Sequence, residues 1–209
     1  HKLRKESTYE AYKVKRILKS LKINSQVLTW KGKKPVSNIQ SLARSKRYEL
    51  LFLKCKKLKI SNLVLGHHID DVIENFFLRM ARGSGLKGLV SLGTNTQIEN
   101  INLIRPLIEF DKRDLIFLSK FIFNFYVDDP TNDDIKFNRI KVRNLIKRFE
   151  DFGLDKKKFQ LTIENLKKSD QSIKFYIEKN KKENSIFNYR KNELILKDNF
   201  FDNSYEVTF

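Results

Sequence analysis

Leu63-Val64-Leu65 forms an uninterrupted apolar run that stops at Gly66 and passes, through two histidines, into a segment whose apolar residues recur at helical spacing. Such a run suits a strand covered on both faces, the situation inside a parallel sheet flanked by helices. Val72, Ile73, Phe76, Phe77 and Met80 then mark the inward face of a helix over 70–82, and Gly83 stands where a left-handed C-terminal cap is wanted. A strand feeding directly into a helix is the repeating unit of a doubly wound α/β sheet.

The flanking segments extend the alternation. Ser7-Thr8-Tyr9-Glu10 has capping-box spacing, and Ala11, Val14, Ile17, Leu18 and Leu21 continue it as an amphipathic helix ending before Asn24. Ser25 to Trp30 reads as a strand and Gly32-Lys33-Lys34-Pro35 as a basic loop. From Asn38, a suitable N-cap, a helix over 38–58 places Ile39, Leu42, Ala43, Leu50, Leu51, Cys55 and Leu58 inward. A strand at Ile101 to Ile104 is halted by Pro106, and helices follow over 112–124 and 135–149. Beyond Gly153 the pattern changes to one Lys-rich helix over 156–181 and a hairpin, Ile186 to Tyr189 and Glu193 to Leu196, turning at Lys191-Asn192. The expected organisation is an α/β domain over 1–150, followed over 151–209 by a linker helix and a small C-terminal subdomain.

Charge narrows the class of partner. Lys and Arg number 43 against 25 Asp and Glu, a formal charge of +18, which favours a polyanion through counterion release. Solvation of helix faces by lysines is the alternative source of the same excess. The single cysteine, Cys55, excludes a disulfide framework or a CxxC metal pair and reads as a small core residue. No run approaches the roughly 18 apolar residues of a membrane span, and no signal peptide opens the chain, so a soluble cytoplasmic protein is expected. Met80 is the only methionine and His1 the first residue, so further sequence is expected upstream.

The densest polar cluster is Gly66-His67-His68-Ile69-Asp70-Asp71-Val72-Ile73-Glu74. It falls at the carboxyl end of a strand, where such sheets bind ligands. Asp71 and Glu74, and likewise Asp70 and Glu74, can converge across one helical turn, and two such carboxylates could hold Mg²⁺ against nucleotide phosphates. The plainer alternative has Asp70 and Asp71 capping the helix and complementing its dipole. His67 and His68 make a poor zinc site, being adjacent and without a third His or Cys ligand nearby. A nucleotide or substrate contact suits His67, and a structural role remains open for His68. Arg79, Arg82, Gly83, Ser84, Gly85 and Lys87 follow on the same helix and its exit.

The run His67-His68-x-Asp70-Asp71-x-x-Glu74, continuing through Leu78-Arg79-x-x-Arg82-Gly83-Ser84-Gly85-Leu86-x-Gly88-Leu89, resembles the signature of the tRNA(Ile)-lysidine synthetases of the PP-loop ATP pyrophosphatase superfamily. His1-x-Leu3-Arg4-x-x-Ser7-x-x-Glu10-Ala11, Asn38-Ile39-Gln40-x-x-Ala43-Arg44-x-x-Arg47-Tyr48, Arg105-Pro106-Leu107, Arg113, Asp129-Pro130-Thr131-Asn132 and Asn138-Arg139-x-x-x-Arg143 fall in the family's order, so the resemblance covers about residues 1 to 148. The family's Ser-Gly-Gly-x-Asp-Ser loop, which grips pyrophosphate at a helix N-terminus, occurs nowhere in these residues. It is expected upstream of His1 together with the first βα unit and the second strand.

The resemblance implies an adenine nucleotide alpha hydrolase-like fold and an enzyme that uses ATP and Mg²⁺. It would adenylate C2 of the wobble cytidine of a tRNA(Ile) with a CAU anticodon, then let free L-lysine displace AMP. Carried over by motif, Asp71 and Glu74 would handle the lysine amine, a proton or Mg²⁺, and Arg47 and Arg139 would stabilise phosphate or adenylate charge. His67 and Asp70 would lie at the nucleotide, and Arg79, Arg82, Gly83 and Lys87 would meet tRNA. A homodimer is among the assemblies the resemblance allows. The rival readings are a PP-loop tRNA thiolation enzyme, which needs cysteines this chain lacks, and a non-catalytic tRNA-binding fragment without the phosphate loop.

Overall fold

A computed structural model describes residues 6–32, 39–127 and 138–208, with the side chains of Ile39, Gln40 and residues 138–140 outside the description. The motif residues His1, Leu3, Arg4, Asn38 and Asp129 to Asn132, the loop residues Lys33 to Pro35, and the side chains of Asn138 and Arg139 lie outside the described residues. The elements run α1 (Ser7–Ser20), α2 (Ile39–Leu58), β1 (Asn62–Val64), α3 (Ile69–Met80), α4 (Leu86–Leu89), β2 (Asn95–Ile98), β3 (Ile101–Ile104), α5 (Lys112–Phe123), α6 (Asn138–Asp151), α7 (Lys156–Asn184), β4 (Ser185–Asn188), β5 (Glu193–Leu196) and α8 (Tyr205–Thr208), with a 3-10 turn at Asp198–Phe200. They divide into two compact units, His1–Asp71 with Gly93–Asp134, and Val72–Leu92 with Ile135–Phe209.

The first unit is α/β. Its sheet has three strands in the order β1-β3-β2: β1 runs parallel to β3 in the register Leu63 to Leu103, and β2 runs antiparallel to β3 with Thr96 opposite Leu103. The sheet is therefore mixed. β2 is not anticipated from the sequence because Asn95-Thr96-Gln97-Ile98 shows no apolar run, and the reversal is made by Glu99 at φ 52°. Cys55 of α2 packs with Ile101 and Leu103 in the core, with Tyr48, Phe52, Leu63 and Leu65 against them.

Several expectations differ from the structure. β1 pairs on one side only among the described residues, and Val64 is 61% exposed rather than covered. Residues 25–30 form no strand, since among the described residues no neighbour receives their N–H and C=O groups. α1 buries none of its stripe, and Leu58 and Met80 are about half exposed. Ser7 is the first helical residue rather than the cap, a position taken by Glu6.

The second unit is held by aromatic packing. Phe77 stacks on Phe149 at 5.5 Å and meets Phe159 edge-on at 5.2 Å, with Val72, Ile73, Val142 and Ile163 also buried. Asp155 caps α7 by accepting from the Lys158 N–H at 2.9 Å. The expected hairpin forms as β4 and β5, with Phe187 opposite Leu194 and Asn192 in the left-handed region of its turn.

Candidate functional site

The Leu65 N–H donates to the Ile104 carbonyl at 2.8 Å, so the chain leaves β1 beside the end of β3. Gly66, His67 and His68 bridge from there to α3. The entry angle is fixed by the Ile69 N–H, which donates to the Phe110 carbonyl at 3.1 Å. The Asp71 N–H donates to the His68 carbonyl at 3.0 Å, and Asp71 Oδ2 accepts in return from the His68 N–H at 3.1 Å. This exchange is the backward bond of a capping box, with the acid at the third helical position. Asp70 Oδ2 accepts from the Lys112 N–H at 3.1 Å, in the first turn of α5. Both acids thus do the work of helix caps, whatever else they do.

The two histidines differ in surroundings. His68 lies between the acids, with Nδ1 3.4 Å from Asp70 Oδ2 and Nε2 3.4 Å from Asp71 Oδ2. Burial alone would lower its pKa, but the close approach of Asp70 and the charges of Asp71 and Asp70 together raise it. His67 is pushed the other way. Burial lowers its pKa, Asp71 opposes this, and Arg105, Arg44 and His68 add to the lowering. Its Nδ1 is buried without a hydrogen-bond partner among the described residues.

Arg105 follows β3 directly and is only 4% exposed. Its Nη1 donates to the Gly93 carbonyl and the Thr96 hydroxyl, both at 2.9 Å. Arg44 of α2 donates to the Tyr48 hydroxyl at 3.4 Å and lies 5.2 Å from that ring's centre. Burial lowers the Arg105 pKa, Tyr48 opposes it, and Arg44 adds to the lowering. In the sequence both arginines stand in motif segments without a role of their own. The available signal is an arginine at the carboxyl end of a core strand with no acid close by.

Glu74, in the second unit, is 4% exposed and its Oε1 accepts from Nε of Arg143 in α6. Arg47 is exposed on α2 and lines a cavity of about 320 Å³ with Gln26, Leu28, Trp30, Lys46, Leu50 and Leu51. Arg139 belongs to α6, with its side chain outside the description. Among the described residues Glu74 pairs with Arg143, Asp71 Oδ2 accepts from a backbone N–H, and no group of three metal-ligating side chains converges.

Arg79, Arg82, Gly83 and Lys87 are all exposed. The Gly83 N–H donates to the Met80 carbonyl at 2.9 Å and the Ser84 N–H to the Arg79 carbonyl at 3.1 Å, with Gly83 at φ 70°. That is a Schellman ending, and it turns the chain directly into α4. Gly88 is required there by close approach, since a Cβ would lie 2.8 Å from Ser84 Cβ.

Residues 1–149 match the PP-loop domain family. The chain is also similar to curated proteins named tRNA(Ile)-lysidine synthase. One from Orientia tsutsugamushi (strain Boryong) is 41% identical over 70% of this chain and 33% of its own length. One from Wolbachia sp. subsp. Brugia malayi (strain TRS) is 34% identical over 84% of this chain and 41% of its own. One from Bradyrhizobium diazoefficiens is 36% identical over 74% and 43%. The matched stretch thus takes in less than half of each relative. No described helix is long and apolar enough to cross a membrane.

Proposed function

The chain belongs to the PP-loop domain family, and from that premise we propose that it supplies the catalytic domain of a tRNA(Ile)-lysidine synthase. The observation that carries this reading is the acidic opening of α3 at the carboxyl end of β1, within a stretch 41% identical to a protein of that name. In this reading residues 1–150 are the catalytic domain, the three-stranded sheet is part of a larger doubly wound one, and 151–209 begin a second domain. ATP, free L-lysine and a tRNA(Ile) with a CAU anticodon are the substrates.

The reaction needs charge control twice. In the first step the wobble cytidine attacks the α-phosphate of ATP and pyrophosphate leaves, so cations must meet the departing charge. Arg47 and Arg139 are assigned to this, with His67 and Asp70 at the nucleotide. In the second step the lysine amine attacks C2 and AMP departs, so a base must take a proton from the ammonium for the free amine to react. Asp71 suits this better than Glu74, because Glu74 already neutralises Arg143 while Asp71 Oδ1 makes no hydrogen bond among the described residues. Arg79, Arg82, Gly83 and Lys87 offer exposed cations and a tight backbone turn to tRNA phosphates.

The test is AMP release that depends jointly on ATP, lysine and tRNA, measured on this chain and on the protein extended upstream of His1. Release is expected from the extended protein, with loss of the lysine-dependent step in Asp71→Asn. Release that ignores lysine, or an Asp71→Asn variant with unchanged lysine dependence, overturns the reading.

A further inference from the structure

Two arginines, Arg105 and Arg44, lie at the carboxyl edge of the sheet, and among the described residues neither is paired with the acids that open α3. Arg105 buries its guanidinium against a backbone carbonyl, a threonine hydroxyl and Tyr48. No carboxylate pairs with Arg105 or Arg44 among the described residues, and Arg105 Nε is buried without a hydrogen-bond partner. Leaving an N–H of a charged group unmatched in a buried setting is expensive. The Leu65 to Ile104 bond sets the segment carrying His67 beside the segment carrying Arg105, and His67 Nδ1 is unmatched as well. Both arginines act on His67 to disfavour its protonation.

A purely structural arginine would be expected to find an acid or to fill its N–H groups with carbonyls. Arg105 satisfies Nη1 and meets Tyr48 but leaves Nε unmatched among the described residues, and Arg44, exposed on α2 and held by Tyr48, adds a second positive charge with no acid paired to it. An oxyanion would reverse the balance by matching N–H groups and neutralising mutual repulsion.

We propose that Arg105, Arg44 and His67 form an oxyanion subsite at the carboxyl ends of β1 and β3. It rests on the proposed function for the identity of its ligand: the oxyanion is carried by one of the small reactants, as the phosphate of a nucleotide or the carboxylate of free lysine. Arg105 is the fixed floor of the subsite and Arg44 its exposed wall. Tyr48, bonded to Arg44 and beside Arg105, positions both.

Ring proton and carbon NMR signals report on this directly, because the chain has three histidines and His67→Gln identifies one set. AMP is titrated in one arm, and L-lysine in another with 1,5-diaminopentane, which lacks the carboxylate, as its control. A saturable shift of the His67 signals with AMP identifies the phosphate; a shift with L-lysine and none with the diamine identifies the carboxylate. Either is expected to weaken roughly tenfold or more in Arg44→Gln, a surface change that leaves the core intact, and in Arg105→Lys, which keeps the charge but not the planar fork. Silence of the His67 signals in every arm, or a shift that persists at full strength in Arg44→Gln, overturns the subsite. Silence here with lysine-dependent AMP release intact in the extended protein would discard the subsite and leave the proposed function standing.

Discussion

At the start of α3 the charged side chains are tied to neighbours, and at its exit they are exposed, with no ion pair among the described residues. Asp70 reaches the first turn of α5, Asp71 reaches back to the N–H of His68, and His68 lies between them. Eleven residues past Asp71, Arg82 stands in solvent beside a Schellman turn, as do Arg79 and Lys87. α3 and its exit therefore carry two kinds of electrostatics. At its acidic end the protonation state is set by burial and by contacts of a few ångströms, which salt hardly screens. At its basic end each charge acts through water over about a Debye length and weakens with salt. A reaction centre needs the first kind and capture of a polyanion needs the second.

The largest effect that sharpens this contrast is expected one turn into the helix, at the Glu74 and Arg143 pair. Replacing Arg143 with Leu leaves a carboxylate that is 4% exposed without its partner, at a cost of about 3 kcal/mol. Glu74→Gln should cost less, because the Arg143 side chain is 34% exposed and can turn toward water. Urea unfolding of the two variants checks the order. If Arg143→Leu unfolds at the wild-type midpoint, the charges near the start of α3 are no more confined than those at its end.

Next in size is the basic end. Arg79→Glu combined with Arg82→Glu should weaken RNA binding most at low salt and flatten the logarithmic salt dependence by about one unit for each phosphate that is no longer neutralised. The same pair of changes should leave the unfolding midpoint almost unmoved, since both side chains are exposed and neither has a buried partner among the described residues. Binding that is unaltered across a salt titration removes these arginines from the proposed tRNA surface.

Much of this contrast is legible in the amino-acid order. Helical spacing places α3 and α7 to within a few residues, Gly83 is recognisable as a left-handed cap, and the strand at Ile101 to Ile104 ends ahead of Pro106 as expected. The errors have a common origin. Residues 25–30 and Val64 read as strand and buried strand because apolar runs report what a segment can cover, while exposure depends on the neighbours actually present. β2 is invisible for the opposite reason: its polar residues gain their order from pairing with β3, not from their own pattern. In the site, adjacency along the chain groups Asp71 with Glu74. The structure gives them different partners, His68 for one and Arg143 for the other. Arg105 and Arg44 are far apart in sequence, and only the fold relates them to His67.

The smallest expected effect tests the acidic end most closely, through the pH dependence of stability. The groups facing His68 are Asp70 and Asp71 in the first turn of α3 and Lys112 from α5. Its folded pKa is raised above the ordinary value of 6.5, so its stabilising contribution is fully present below that value and is lost as the pH climbs through the folded pKa. His67 has the opposite sign. Its folded pKa is lowered, so the unfolded chain takes up a proton first and stability falls as the pH drops below 6.5 toward the folded value. In the wild type the two slopes fall on opposite sides of 6.5, and single variants should separate them. His68→Gln should remove the loss on the alkaline side, His67→Gln should remove the loss on the acid side, and Asp70→Asn should move the first slope toward lower pH. Thermal unfolding at constant ionic strength between about pH 5 and 8, the range over which histidines change charge, reads all three. A His68→Gln profile superimposable on the wild type would mean that the acids opening α3 do not grip that imidazole, and the tight, locally set electrostatics assigned to this end of the helix would rest on the backbone caps alone.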